Sequence, residues 1–170
     1  MPVEIRADLP PELVPLAWMI GRWEGVGVGG YPGVEEFQFG QEIVFSADEG
    51  KPYLAYEARS WALDETGAVG RPMAREAGFW RPQKDGRVEV TLAHPMGITE
   101  IYVGEIQGAK IELRTDVVAR TETARDYSAG HRLYGHVEGD LLYAFDMAAG
   151  DKALQPHISA RLKRAEGAAA

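Results

Sequence analysis

The chain contains no cysteine. Disulfides, thiolate metal sites and thiol nucleophiles are therefore excluded, and the absence suits a reducing compartment. There is no apolar run long enough to span a bilayer, and Met1-Pro2-Val3-Glu4-Ile5-Arg6 lacks the basic-then-apolar order of a signal peptide. The expectation is a cytoplasmic protein with no membrane partner. Basic residues are in deficit: 18 Lys and Arg against 26 Asp and Glu give a formal charge of −8. That balance argues against nucleic acid as a partner, and an anionic ligand would need a local basic group. Only four histidines occur, His94, His131, His136 and His157, and none pairs with another at HxH or HxxxH spacing. A multi-histidine zinc site is not encoded locally. Neither a Gly-x-Ser-x-Gly elbow nor a Gly-Lys-Ser/Thr phosphate loop is present.

Helix is scarce too. Pro11 to Ile20 places Leu13, Leu16, Ala17 and Ile20 at helical spacing behind a proline, which predicts one short helix capping an end of the fold. The rest alternates with period two. Phe37, Phe39, Ile43 and Phe45 share a parity, as do Leu54 with Tyr56, Val88 with Val90 and Leu92, and Leu141 with Tyr143, Phe145 and Met147. Gly78 to Pro82, Ile98 to Val103, Ile111 to Leu113 and His157 to Arg164 read as further strands. His131 and His136 are expected as solvated strand positions around Leu133 and Tyr134. About ten strands at hairpin spacing predict an all-β fold, a ten-stranded antiparallel up-and-down β-barrel with a short N-terminal helix. A closed barrel of this size is expected to leave room for one small ligand. One domain over 1–170 is expected, with its core at about 16–164, a loose lead-in over 1–10 and a frayed tail over 164–170.

The densest signal is Gly21 to Pro32, with glycines at 21, 25, 27, 29 and 30 around Trp23, Val26, Val28 and Tyr31. A flexible linker would not carry the Trp, Val and Tyr. The stretch reads as a first strand that bends hard or lies against something bulky, with Trp23 plugging one barrel end. Gly-x-Trp after a short helix resembles the lipocalin and fatty-acid-binding barrels. The fuller set Gly21, Trp23, Gly25 and Gly27, followed by Tyr31-Pro32, resembles the nitrobindin family of haem-binding barrels. The block Leu154-Gln155-Pro156-His157 resembles that family's C-terminal segment. From residue types alone, His157 is either a surface or structural histidine or an axial haem ligand. By period two it shares parity with Ser159 and Arg161, so Pro156 must bend the strand, or a bulge must shift its phase, before the ring faces an apolar pocket.

The resemblance covers about 16–164 and implies a set of roles. His157 would be the axial iron ligand of haem b, and Met73 and Met147 would lie against the cofactor. Arg125 would meet a propionate, the alternative being an ordinary surface arginine. His94, in a strand-end turn, would be either a rim histidine or a polar group near the open face of the iron, and no other polar side chain is expected there. Many members carry His where Ala74 stands and Thr where Gly33 stands, which removes two polar groups from the distal side. The implied activity is isomerisation of peroxynitrite to nitrate by ferric haem, with reversible binding of nitric oxide. Small molecules are the expected partners, and a homodimer the candidate assembly. The rival is a haem-free fatty-acid-binding-like barrel holding a small apolar ligand, with His157 structural.

Overall fold

A computed structural model describes residues 6–165; the first half of the expected lead-in and most of the expected tail lie outside them. A 3₁₀ helix spans Pro11–Met19, and ten strands follow: β1 (Gly21–Tyr31), β2 (Val34–Ala47), β3 (Leu54–Leu63), β4 (Val69–Pro82), β5 (Arg87–His94), β6 (Ile98–Gln107), β7 (Lys110–Arg120), β8 (Tyr127–Val137), β9 (Asp140–Ala149) and β10 (Gln155–Arg164). Each strand pairs antiparallel with its chain neighbours, and β1 closes the barrel against β10. Closure removes the free edges an open sheet must protect. The predicted helix is present, but Pro15 inside it withholds a backbone donor and crowds the preceding turn, and the segment winds as 3₁₀. β4 begins nine residues before Gly78, because Val69 to Ala77 carries little apolar alternation to reveal it.

Up-and-down order puts the turns after β2, β4, β6 and β8 at one end and those after β1, β3, β5, β7 and β9 at the other. The 3₁₀ helix closes the first end. Its Leu13, Leu16 and Met19 are fully buried against Trp23, whose Nε1 donates to the Met19 carbonyl at 2.8 Å. The Arg164 guanidinium lies over the Trp23 ring, 4.2 Å from its centroid, and donates to the Ile20 and Trp18 carbonyls. His136 is not a solvated strand position: it stacks on Trp18 at 4.9 Å and meets the edge of Trp23. It shares parity with inward Tyr134, which carries it to the plugged end. His131, on the opposite parity, is held by Glu112 at 2.9 Å with Asp146 nearby.

The barrel is packed rather than hollow. Phe39, Ile43, Phe45, Tyr56, Trp80, Tyr102, Tyr134, Tyr143 and Leu162 fill its middle and lower interior. An alkyl chain would have to displace this aromatic core, so the expected internal ligand space is absent there, and what space remains lies toward the other end. β1 is glycine-rich for this reason. A Cβ on Gly25 would strike the backbone of β10 at Arg161 and Leu162, and one on Gly27 would strike the Phe39 ring.

Candidate functional site: the open end of the barrel

The open end is bounded by the turns after β1, β3, β5, β7 and β9. It brings together His157 at the start of β10, Met147 at the end of β9, His94 at the end of β5 and Arg125 in the β7–β8 loop.

The β9–β10 register answers the parity question about His157. Pro156 pairs with Asp146 and Ile158 with Phe145, so His157 is an extra residue opposite no partner. The bulge lets His157 turn inward beside Ile158, where strict alternation would put it outside. Pro156, which cannot donate to a ladder, sits at the bulge. The imidazole lies among three rings: Tyr31 at 5.6 Å, Phe145 at 6.0 Å and Phe37 at 6.3 Å between centroids. Tyr31 is fixed by its hydroxyl, which donates to the Met147 carbonyl at 3.0 Å. Nδ1 of His157 is 3.0 Å from the Gly30 carbonyl. A carbonyl only accepts, so Nδ1 carries the proton and the neutral ring keeps its free lone pair on Nε2. A cleft of about 1060 Å³ runs past the ring along the outer wall at this end, where Val28, Glu36, Gln38, Asp146 and Ser159 line it together with Phe37, Pro156 and Ile158.

The glycines of β1 shape this end as well. Gly29 pairs with Ile158 and Phe37, and a Cβ there would collide with the Phe37 ring and stand 2.8 Å from Ile158 Cγ2. Gly33 has φ +85° in the Tyr31–Val34 turn, where proline precedes it. That is the conformation a type II turn asks of glycine, a local reason for the residue that stands where many relatives were expected to carry threonine. Ala74 is exposed, and its amide donates to Ser60 Oγ at 3.2 Å.

Below His157 the interior holds a charged cluster that the sequence reading missed. Arg132, 2% exposed, grips Glu76 with both terminal nitrogens, Nη1 to Oε1 at 2.5 Å and Nη2 to Oε2 at 2.9 Å. Its Nε donates to Tyr102 Oη at 3.0 Å, and Glu100, 1% exposed, lies 3.8 Å away. Tyr127 donates to Glu100, and Tyr56 to Glu76. His94 belongs to this cluster: Nε2 is 2.6 Å from Glu100 Oε2, and Nδ1 is 3.6 Å from Glu76 Oε2. Its ring is tied to Glu100, which is buried, with the half-buried Glu76 beside it. Burial alone would raise the Glu76 carboxyl, but the Arg132 charge and hydrogen bonds outweigh it and hold the group at about 2. Glu100 is lowered by the same contest, with His94 and Arg132 overcoming burial. Burial pushes the Tyr102 and Tyr127 phenols up, so both remain protonated donors. A signal existed in the sequence. Glu76 shares parity with Trp80, Glu100 with Tyr102 and Arg132 with Tyr134, and a charge on a core parity needs a partner.

Arg125 is exposed, and its loop is pinned by Arg120, which donates to the Arg125 carbonyl and to Asp126. Its own side chain makes no ion pair among the described residues. Met73 is 40% exposed on β4. Met147 is half-buried and pairs with Gln155.

Donor chemistry and surroundings fit a porphyrin. One imidazole with a fixed tautomer stands beside an open cleft, among aromatic walls that pack against a flat ring. A family model described as the THAP4-like, haem-binding β-barrel domain matches residues 12–164. A Nocardioides protein named peroxynitrite isomerase is 52% identical over 164 residues, 96% of this chain and 99% of that one. A Kineococcus radiotolerans protein named ferric nitrobindin-like protein is 46% identical over 179 residues, 96% of this chain and 99% of that one. The crystal structure of Rv2717c from M. tuberculosis superposes with a TM-score of 0.83 at 37% identity, covering 94% of this chain and all of that one. A closed ten-stranded barrel matched along nearly its whole length places this chain in the THAP4-like, haem-binding β-barrel family.

Proposed function

We propose that this barrel holds b-type haem at its open end, with His157 Nε2 on the iron, and that the loaded protein isomerises peroxynitrite to nitrate. The observation that carries the reading is the bulge at His157, which turns the one imidazole of a Leu-Gln-Pro-His segment into an aromatic cleft and aims Nδ1 at the Gly30 carbonyl. When bound, ferric haem supplies the Lewis-acidic coordination position at which peroxynitrite rearranges.

The chain's own residues do the remaining work. The Gly30 carbonyl fixes the imidazole tautomer and plane. Phe37, Tyr31 and Phe145 exclude water from the ligand side, and the hydrogen bond from Tyr31 to Met147 ties β1 to β9 around it. Arg125, on a pinned loop at the same end, is placed to meet a propionate. Conversion of the peroxynitrite anion to nitrate takes up and releases no proton, so it asks for no stoichiometric proton donor or acceptor. Nitric oxide is small and uncharged and suits the same coordination position. The chain lacks cysteine, and among the described residues no helix is long and apolar enough to cross a membrane; we assign it to the cytoplasm. The test is a haem titration followed by stopped-flow mixing with peroxynitrite. The expected result is faster decay with nitrate as the product. Decay no faster than in protein-free haem, or loss into nitration products, would refute the activity.

A further inference from the structure

A barrel core has no need of a buried guanidinium. Removing one from water is costly, and apolar residues of similar volume often serve stability as well or better. Arg132 is nevertheless there, and its surroundings are specific. Glu76 takes its two terminal nitrogens, Tyr102 takes Nε, and Cζ of the guanidinium lies over the Phe145 ring, 4.8 Å from its centroid, with the Tyr102 and Tyr143 rings at 5.0 and 5.9 Å. Phe145 also neighbours His157, edge to face at 6.0 Å and 68°. Phe145 is also the register partner of Ile158, the residue that closes the bulge. Gly130 makes the arrangement possible: a Cβ there would stand 2.8 Å from Phe145 Cε2 and collide with the hydroxyls of Tyr102 and Tyr127.

We infer that Arg132 is a positioning residue for His157 and acts through Phe145. The inference rests on the reading of His157 as the haem ligand. Glu76 fixes the guanidinium, the guanidinium holds the Phe145 ring by a desolvated cation–π contact, and Phe145 forms one wall of the imidazole slot. Gly30 fixes the ring from its Nδ1 side, and the stack fixes its tilt from below. The buried ion pair thus orients the ligand in addition to any part it has in folding.

The test is the double variant Glu76→Gln with Arg132→Met, which avoids leaving either charge alone, beside Phe145→Leu, which keeps the ion pair. Two quantities are read in folded protein. The first is the set of His157 ring resonances in haem-free protein, by long-range ¹H–¹⁵N correlation. The second is the rate of haem transfer from the loaded protein to an apomyoglobin scavenger. Both variants are expected to shift or broaden the His157 resonances and to speed haem loss about thirtyfold, the worth of a desolvated cation–π contact. Combining them should add nothing further, since both break one stack. If the double variant does not unfold cooperatively, Arg132→Lys, which keeps a charge beside Glu76 but removes the guanidinium, decides. His157 resonances superimposable on wild type, with transfer rates within about twofold, would overturn the inference even if thermal stability falls. Wild-type protein that binds no haem would overturn the functional proposal instead, while the resonances would still report on the stack.

Discussion

Gly29 and Gly30 are adjacent on β1, and the account treats them as opposites. Gly29 faces the interior between Phe37 and Ile158. A Cβ there would overlap the Phe37 ring and stand 2.8 Å from Ile158 Cγ2, about 1 Å inside an ordinary contact. The two neighbours that would have to yield are a wall of the His157 slot and the residue that closes its bulge. Gly29→Ala should therefore cost about 1–3 kcal/mol of unfolding free energy, the range for overpacking a filled interior. It should also weaken haem binding, because the displaced ring lies against the ligand. A Cβ on Gly30 meets nothing closer than Glu36 Cγ at 3.6 Å, an ordinary contact, and the substitution keeps the carbonyl that His157 uses. Gly30→Ala should lie within about 0.5 kcal/mol of wild type, as for a surface change. Urea unfolding of the haem-free variants and haem titration of each provide the two readings. Equal stabilities and equal haem affinities for the pair would refute the packing argument for this strand.

Trp23→Ala removes a fully buried indole, its hydrogen bond to Met19 and the face on which Arg164 lies. It should cost about 3–5 kcal/mol in chemical denaturation. Glu76 has its carboxyl lowered from 4.5 to about 2, so its ionised form is favoured by folding. That stabilisation is complete above about 4.5 and is lost as pH falls from there toward 2, with Glu100 contributing in the same direction. Acid titration followed by near-ultraviolet circular dichroism should show the loss in that window, and Glu76→Gln with Arg132→Met should reduce it. Arg125→Gln should leave the apo barrel's stability unchanged and weaken haem binding less than about fivefold, since an exposed ion pair is worth at most about 1 kcal/mol.

Much of the fold was legible because its signals are local. Alternation showed strands, glycine-bearing turns separated them, and a single helix candidate excluded α/β order. The helix was placed correctly, but its winding was not, because Pro15 acts through backbone geometry that side-chain spacing does not report. The packed interior was not legible either: period two tells which residues face inward, not whether facing rings meet. His157 was singled out through its segment, and its inward turn depended on a register shift that only the pairing of β9 with β10 reveals. Glu76, Glu100 and Arg132 were readable in part, as charges on aromatic parities, but they come from β4, β6 and β8, and only closure makes them one cluster. His94 was read as a rim histidine or a polar group near the iron's open face, and its carboxylate neighbours, which come from β4 and β6, were not in view.

The central claim is that His157 binds the iron. Its most direct measurement is the absorption spectrum of His157→Ala titrated with ferric haem, beside wild type, after circular dichroism shows the same barrel in both. The side chain is half-buried and, among the described residues, its one hydrogen bond is to a carbonyl at the mouth, so the variant should fold. Wild type should give a saturable, sharp Soret band, and the variant should give the broad spectrum of unligated haem, with added imidazole restoring the band. A variant with the wild-type Soret position and affinity would contradict the account.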